Sequence, residues 1–109
     1  MSIAFTSGEP SGIGPDIALI YAQKDRSEDL IVYGDPDVLI NRAKLLNLPI
    51  SLKEHKTRKA NELSIFPIKT KSKVEPGKLN PDNSDYVLSL IRHATNDCIN
   101  KSCSGMLTG

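Results

Sequence analysis

An apolar run, Ile3-Ala4-Phe5-Thr6, breaks into Gly8-Glu9-Pro10-Ser11-Gly12-Ile13-Gly14-Pro15-Asp16. A strand that enters a helix through a tight glycine loop satisfies every residue of that junction. The glycines supply positive φ or close backbone approach, Pro15 fits a first helical position, and Asp16 complements the positive end of the helix dipole. A loop of this kind turns backbone N–H groups toward an anionic ligand. The alternative is a strand-to-helix connection that binds nothing. The spacing of Gly8, Gly12 and Gly14 is neither the dinucleotide G-x-G-x-x-G pattern nor a Walker loop, since no Lys-Ser or Lys-Thr pair follows.

The same punctuation recurs downstream. Residues 15–24 read as a helix buried around much of its circumference through Ile17, Ala18, Ile20, Tyr21 and Ala22. Leu30-Ile31-Val32-Tyr33 is a buried strand ended by Gly34, and Asp35-Pro36-Asp37 offers a cap, a first-turn proline and a dipole-matched acid. The helix that follows carries Val38, Leu39, Ala43, Leu45 and Leu46 and stops before Pro49. Ile50-Ser51-Leu52 and Leu63-Ser64-Ile65-Phe66 are further strands, with Pro76-Gly77 as a turn between the last of these and a helix from Asn80-Pro81 to about Asn100. That helix has a stripe of Tyr86, Val87, Leu90, Ile91, Ala94 and Cys98, and Gly105-Met106-Leu107-Thr108 closes the pattern as a strand. Strands alternating with helices specify an α/β layered sheet with flanking helices and right-handed crossovers wherever strands pair in parallel. Ligands of such sheets bind at the carboxyl ends of the strands.

Gly-Glu-Pro-Ser-Gly-Ile-Gly-Pro-Asp, residues 8–16, resembles the N-terminal signature of the 4-hydroxythreonine-4-phosphate dehydrogenases of pyridoxal phosphate biosynthesis. The likeness continues through Asn41-Arg42-Ala43, Leu48-Pro49, Pro76-Gly77-Lys78-Leu79, Tyr86-Val87 and Leu107-Thr108-Gly109. Gly-Ile-Gly-Pro-Asp alone is also similar to the isocitrate and isopropylmalate dehydrogenases. The resemblance implies a partial isocitrate/isopropylmalate-dehydrogenase-like fold, with residues 1–109 as a single N-terminal α/β segment of a longer dehydrogenase. It implies oxidation of a phosphorylated hydroxy amino acid by NAD or NADP, followed by decarboxylation with help from a divalent metal. It further implies a homodimer in the cytoplasm, a loop near the cofactor cleft, and a substrate-contacting loop directly after Thr108-Gly109. Gly8, Glu9, Gly12 and Gly14 are the candidate cofactor-binding residues. The family's metal-ligating histidines have no counterpart here, so no catalytic or metal residue is assigned. The segment alone is expected to be inactive and to hold no cofactor firmly. Two other classes are a stand-alone nucleotide-phosphate-binding module and a non-functional truncated remnant.

Glu9 is the sole ionisable group inside the loop, and its structural role would be a carboxylate bonded to loop N–H groups. Asp35 lies 21 residues after Gly14, near the spacing at which an acid holds a ribose hydroxyl, but Pro36 and Val38 explain it as a helix cap. His55 and His93 read as solvated, without a second ligand nearby. Cys98 and Cys103 read as reduced thiols. Eight Lys or Arg against three Glu between residues 53 and 78 form a solvated basic face, because only Phe66 could interleave with them for stacking. With a net charge of +1, this argues against nucleic acid as a partner. No secretory signal or membrane-spanning run is present. Hydrophobic residues make up 39% and charged residues 25%, a globular balance, while aromatics at 5% leave the core to Ile, Leu, Val and Ala.

Overall fold

A computed structural model describes residues 2–70, 74, 77–78, 80–100 and 103–109. Five strands, β1 (Ser2–Thr6), β2 (Asp29–Gly34), β3 (Ser51–Lys53), β4 (Glu62–Pro67) and β5 (Gly105–Thr108), form one sheet in the order β3-β4-β2-β1-β5. Every pairing between these five strands is parallel. Three helices, α1 (Gly14–Tyr21), α2 (Pro36–Leu46) and α3 (Ser84–Ile99), connect them, the last entered through a 3-10 turn at Pro81–Asn83. The layered α/β expectation therefore holds. Of the Pro76-Gly77-Lys78-Leu79 stretch, Pro76 and Leu79 lie outside the described residues.

The order follows from handedness. From β1 to β3 the chain steps toward one edge; from β3 to β5 it steps back. Crossovers of one hand must then change faces at the reversal. Accordingly α1 and α2 cover one face through Ala18, Leu19, Leu39 and Ala43 on Phe5, Leu30, Val32, Leu63 and Ile65. On the other face α3 lays Tyr86, Leu90 and Ala94 against Ala4 and Tyr33. The β3–β4 connection shares that second face, where Ser64 Oγ donates to His55 O (2.9 Å) and accepts from Thr57 N (3.0 Å).

Two sequence expectations need correcting. Helix α1 is not buried around its circumference: Ala18 and Leu19 face the sheet, while Ile17, Ile20 and Tyr21 are exposed. Together with Leu107 and Phe5, Ile17 and Tyr21 line an apolar groove between α1 and β5 that no described element covers. Ile91 is likewise exposed, because α3 contacts the sheet along the narrower line Tyr86, Leu90 and Ala94. The basic stretch is partly neutralised, Arg58 pairing with Asp29 at 2.9 Å and Lys69 with Asp37 at 2.7 Å. Lys71 and Lys73 lie outside the described residues. His55 and His93 are exposed as expected, His93 tilting its ring on Phe66.

Tyr33 is one of two buried tyrosines in the core on the α3 face. It stacks on Phe66, with centroids 5.0 Å apart, and its hydroxyl donates to Asp97. Burial, then the Asp97 and Cys103 contacts, raise its ionisation well above the ordinary 10.0. A phenol held neutral in the fold stabilises it fully below the unfolded value, and that stability is lost as pH rises beyond it. Tyr86, also raised by burial, adds to the same alkaline limb. Tyr33→Phe is expected to cost about 1 kcal/mol at neutral pH. It should also flatten the decline in urea-unfolding stability between roughly pH 9 and pH 11. An unchanged alkaline decline would contradict this.

Candidate functional site

The carboxyl ends of β1 and β5 lie side by side, at the end of the sheet where open parallel sheets bind ligands. The glycine loop stands at that end, directly after β1. Gly109 N donates to Thr6 O at 2.8 Å, carrying the end of β5 up to the loop. A Cβ on Gly8, whose φ is +72°, would stand 2.3 Å from Gly109 O. Gly8 is thus fixed as glycine twice, by its backbone conformation and by its neighbour.

Gly14 is required for a different reason. A Cβ there would lie 1.8 Å from the carbonyl oxygen of Ser7, so the start of α1 packs directly on the end of β1. Gly12 has neither constraint to the same degree, since its Cβ would meet Glu9 O at 3.3 Å. Of the three glycines, then, Gly8 supplies positive φ, Gly14 close approach, and Gly12 only a snug fit.

Arg42 of α2 holds the loop from beneath. Its guanidinium donates to Pro10 O (2.9 Å) and Gly12 O (2.8 Å) and pairs with Asp16 at 2.7 Å. Gly12 N bonds Glu9 O and Gly77 N bonds Ser11 O, so four consecutive carbonyls from Glu9 to Gly12 accept hydrogen bonds within the fold. The loop's carbonyls and the Gly12 N–H are thus engaged within the fold. Sequence reading gave Arg42 no role. A signal was present: it shares a helix face with Val38 and Leu39, and a cation on an apolar face must find partners.

Glu9 is partly exposed and does not bond loop N–H groups as expected. Its carboxylate accepts from Ser11 Oγ at 3.0 Å instead. A carboxylate repels phosphate, so Glu9 suits a ligand hydroxyl or ammonium group. Asp35 is buried and fully engaged: one oxygen caps α2 through Asp37 N (2.9 Å), the other accepts from Thr70 N (2.8 Å) and Thr70 Oγ1 (3.2 Å). The cap reading explains it without a ribose. Tyr86 completes this corner, its hydroxyl accepting from Asp35 N at 2.8 Å and lying near Gly34.

Two variant pairs test the geometry. Gly14→Ala should destabilise by on the order of 3 kcal/mol although alanine is the better helix former, because the Ser7 carbonyl cannot retreat. Gly12→Ala should change stability by less than about 1 kcal/mol. Equal effects in urea unfolding would overturn the distinction. Arg42→Met is expected to cost about 2 to 3 kcal/mol, with little rescue by Arg42→Lys, since one ammonium cannot span three acceptors. Full rescue by lysine would show that charge alone matters.

Comparison with known proteins agrees with this architecture. The 4-hydroxythreonine-4-phosphate dehydrogenase of Yersinia pseudotuberculosis serotype O:1b is 39% identical over 113 residues, covering 98% of this chain and 34% of the relative. That of Erwinia tasmaniensis is 36% identical with the same coverage. The chain therefore spans about a third of the length of the curated relatives it matches. A crystal structure of 4-hydroxythreonine-4-phosphate dehydrogenase from Klebsiella pneumoniae superposes with a TM-score of 0.81 at 20% identity, covering 99% of this chain and 36% of that one. This likeness shows the fold, part of the isocitrate/isopropylmalate-dehydrogenase-like architecture. A family model for pyridoxal phosphate biosynthetic protein PdxA matches residues 26–109, well over half of the sequence, and the chain belongs to that family.

Proposed function

We propose that the chain is the N-terminal segment of an NAD(P)-dependent 4-hydroxythreonine-4-phosphate dehydrogenase and contributes the cofactor-side wall of its cleft. The observation that supports this reading is the compact glycine loop at the carboxyl end of β1, packed against Gly109 at the end of β5. In this reading Gly8, Gly12 and Gly14 let the loop close, the start of α1 turns backbone N–H groups toward a phosphate, and Glu9 offers an acceptor to a ligand hydroxyl. NAD or NADP, when bound, supplies the hydride acceptor for the oxidation. Arg42 and Asp35 hold two loops at this end of the sheet and take no part in the chemistry.

The rest of the reaction belongs to the remainder of the longer enzyme. Among the described residues no three His, Cys, Asp or Glu side chains converge as a metal cluster. In this reading the divalent metal is held by the remainder of the longer enzyme. The substrate in this reading is a phosphorylated hydroxy amino acid, and the assembly is a cytoplasmic homodimer. The apolar groove of Ile17, Tyr21 and Leu107 supports a larger assembly, since an open apolar surface of this kind is normally covered. Among the described residues no helix is long and apolar enough to cross a membrane.

Titration of the isolated chain with NAD and NADP, followed by backbone NMR, tests the placement. Weak, saturable shifts confined to Ser7–Gly14 and Thr108–Gly109 are expected. Shifts elsewhere, or none at millimolar cofactor, would overturn it, and firm binding would favour a stand-alone nucleotide-phosphate module. With 4-hydroxythreonine-4-phosphate, NAD and a divalent metal, this chain alone should form no reduced cofactor. Sustained turnover would show that the catalytic groups lie within residues 1–109.

A further inference from the structure

We propose that Cys98 and Cys103 are a redox modification site, closing an intrachain disulfide when the folded chain meets a low-molecular-weight disulfide. Cys98 stands in the last turn of α3 and Cys103 just before β5, on the face of the sheet opposite α1. Both are free thiols, and Cys98 packs against the buried cluster that contains Cys103. Cys98 Sγ lies 3.7 Å from Gly105 O, and Cys103 Sγ lies 3.9 Å from the Tyr33 hydroxyl. Neither touches the glycine loop, so the site is separate from the proposed cleft.

The backbone on each side is anchored. Asn100 N bonds Asn96 O at 2.9 Å, ending α3, and Ser104 N bonds Ser2 O at 2.7 Å, fixing the entry to β5. Two thiols held this way meet at an effective concentration far above that in a free coil. They also differ in kind. Cys98 is half-buried and can meet a reagent, while Cys103 is buried and its thiol is pushed up from the usual range, chiefly by desolvation. Cys98 is therefore the attacking residue and Cys103 the resolving one.

The exchange balances in two steps. The Cys98 thiolate attacks the reagent disulfide, giving a mixed disulfide and releasing one reagent thiolate. Cys103, giving its proton to solvent, then attacks Cys98 Sγ, and the second reagent thiolate leaves. Two protein thiols are oxidised and one reagent disulfide is reduced to two thiols. The product ties the end of α3 to the start of β5, the strand whose far end meets Gly8.

The test is equilibration of the purified chain with glutathione redox buffers, acid quench, alkylation and intact mass with peptide mapping. The expected result is a monomer that has lost both free thiols and two hydrogens, with a Cys98–Cys103 cross-linked peptide. Its effective concentration should be at least about tenfold higher in native buffer than in denaturing urea. Cys98→Ala should leave Cys103 unmodified in native buffer, and Cys103→Ser should stop at a glutathione adduct on Cys98. Two free thiols, a persistent adduct on Cys98 of the unsubstituted chain, disulfide-linked dimers, or equal effective concentrations in buffer and urea would each overturn the proposal.

Discussion

Parallel pairing is the constraint from which the rest of this structure follows. A parallel strand cannot return by a hairpin, so each connection must cross a face of the sheet, and each crossing is an opportunity to bury apolar surface. The chain uses α1 and α2 on one face, then the 54–61 connection and α3 on the other. Because every strand runs the same way, the loops that follow β1, β2 and β4 gather at one end of the sheet, beside the end of β5. The position of the glycine loop is thus a consequence of topology as much as of its own residues.

Within that frame the loop is held by backbone contact. Gly14 lets α1 begin against the carbonyl of Ser7, and Gly8 lets the end of β5 come within reach of the loop. Arg42 then locks the arrangement from α2, a different connection on the same face. Because the two helices pack together, a side chain on one can set the dipoles of the loop preceding the other. With the carbonyls of residues 9–12 all accepting hydrogen bonds within the fold, the loop is a held backbone arrangement and not merely a flexible turn.

The surface is less complete than the interior. Ile17 and Tyr21 on α1 and Leu107 on β5 leave apolar area open beside a strand that, among the described residues, is at the edge of the sheet. Relatives three times as long have ample chain to cover such a face. Apolar residues in the sequence therefore carried two messages, core and interface, which periodicity cannot separate.

Local chemistry was legible from the sequence. Proline and glycine punctuation, the Asp35 cap and the helical and strand periods depend on short-range sterics and hydrogen bonds, so the element order, the layered α/β class and the loop were readable. Family membership was readable too, from the ordered motifs. Tertiary structure decided what depends on residues far apart in sequence. It showed that Gly14 meets Ser7 while Gly12 has room, that Glu9 turns to Ser11, and that Ile17 and Ile20 face outward. It also brought Arg42 to the loop and Tyr86 to Asp35. Those outcomes rest on which surfaces meet once strands pair across the chain, and pairing order is set by the global compromise of burial, handedness and closure rather than by any local segment.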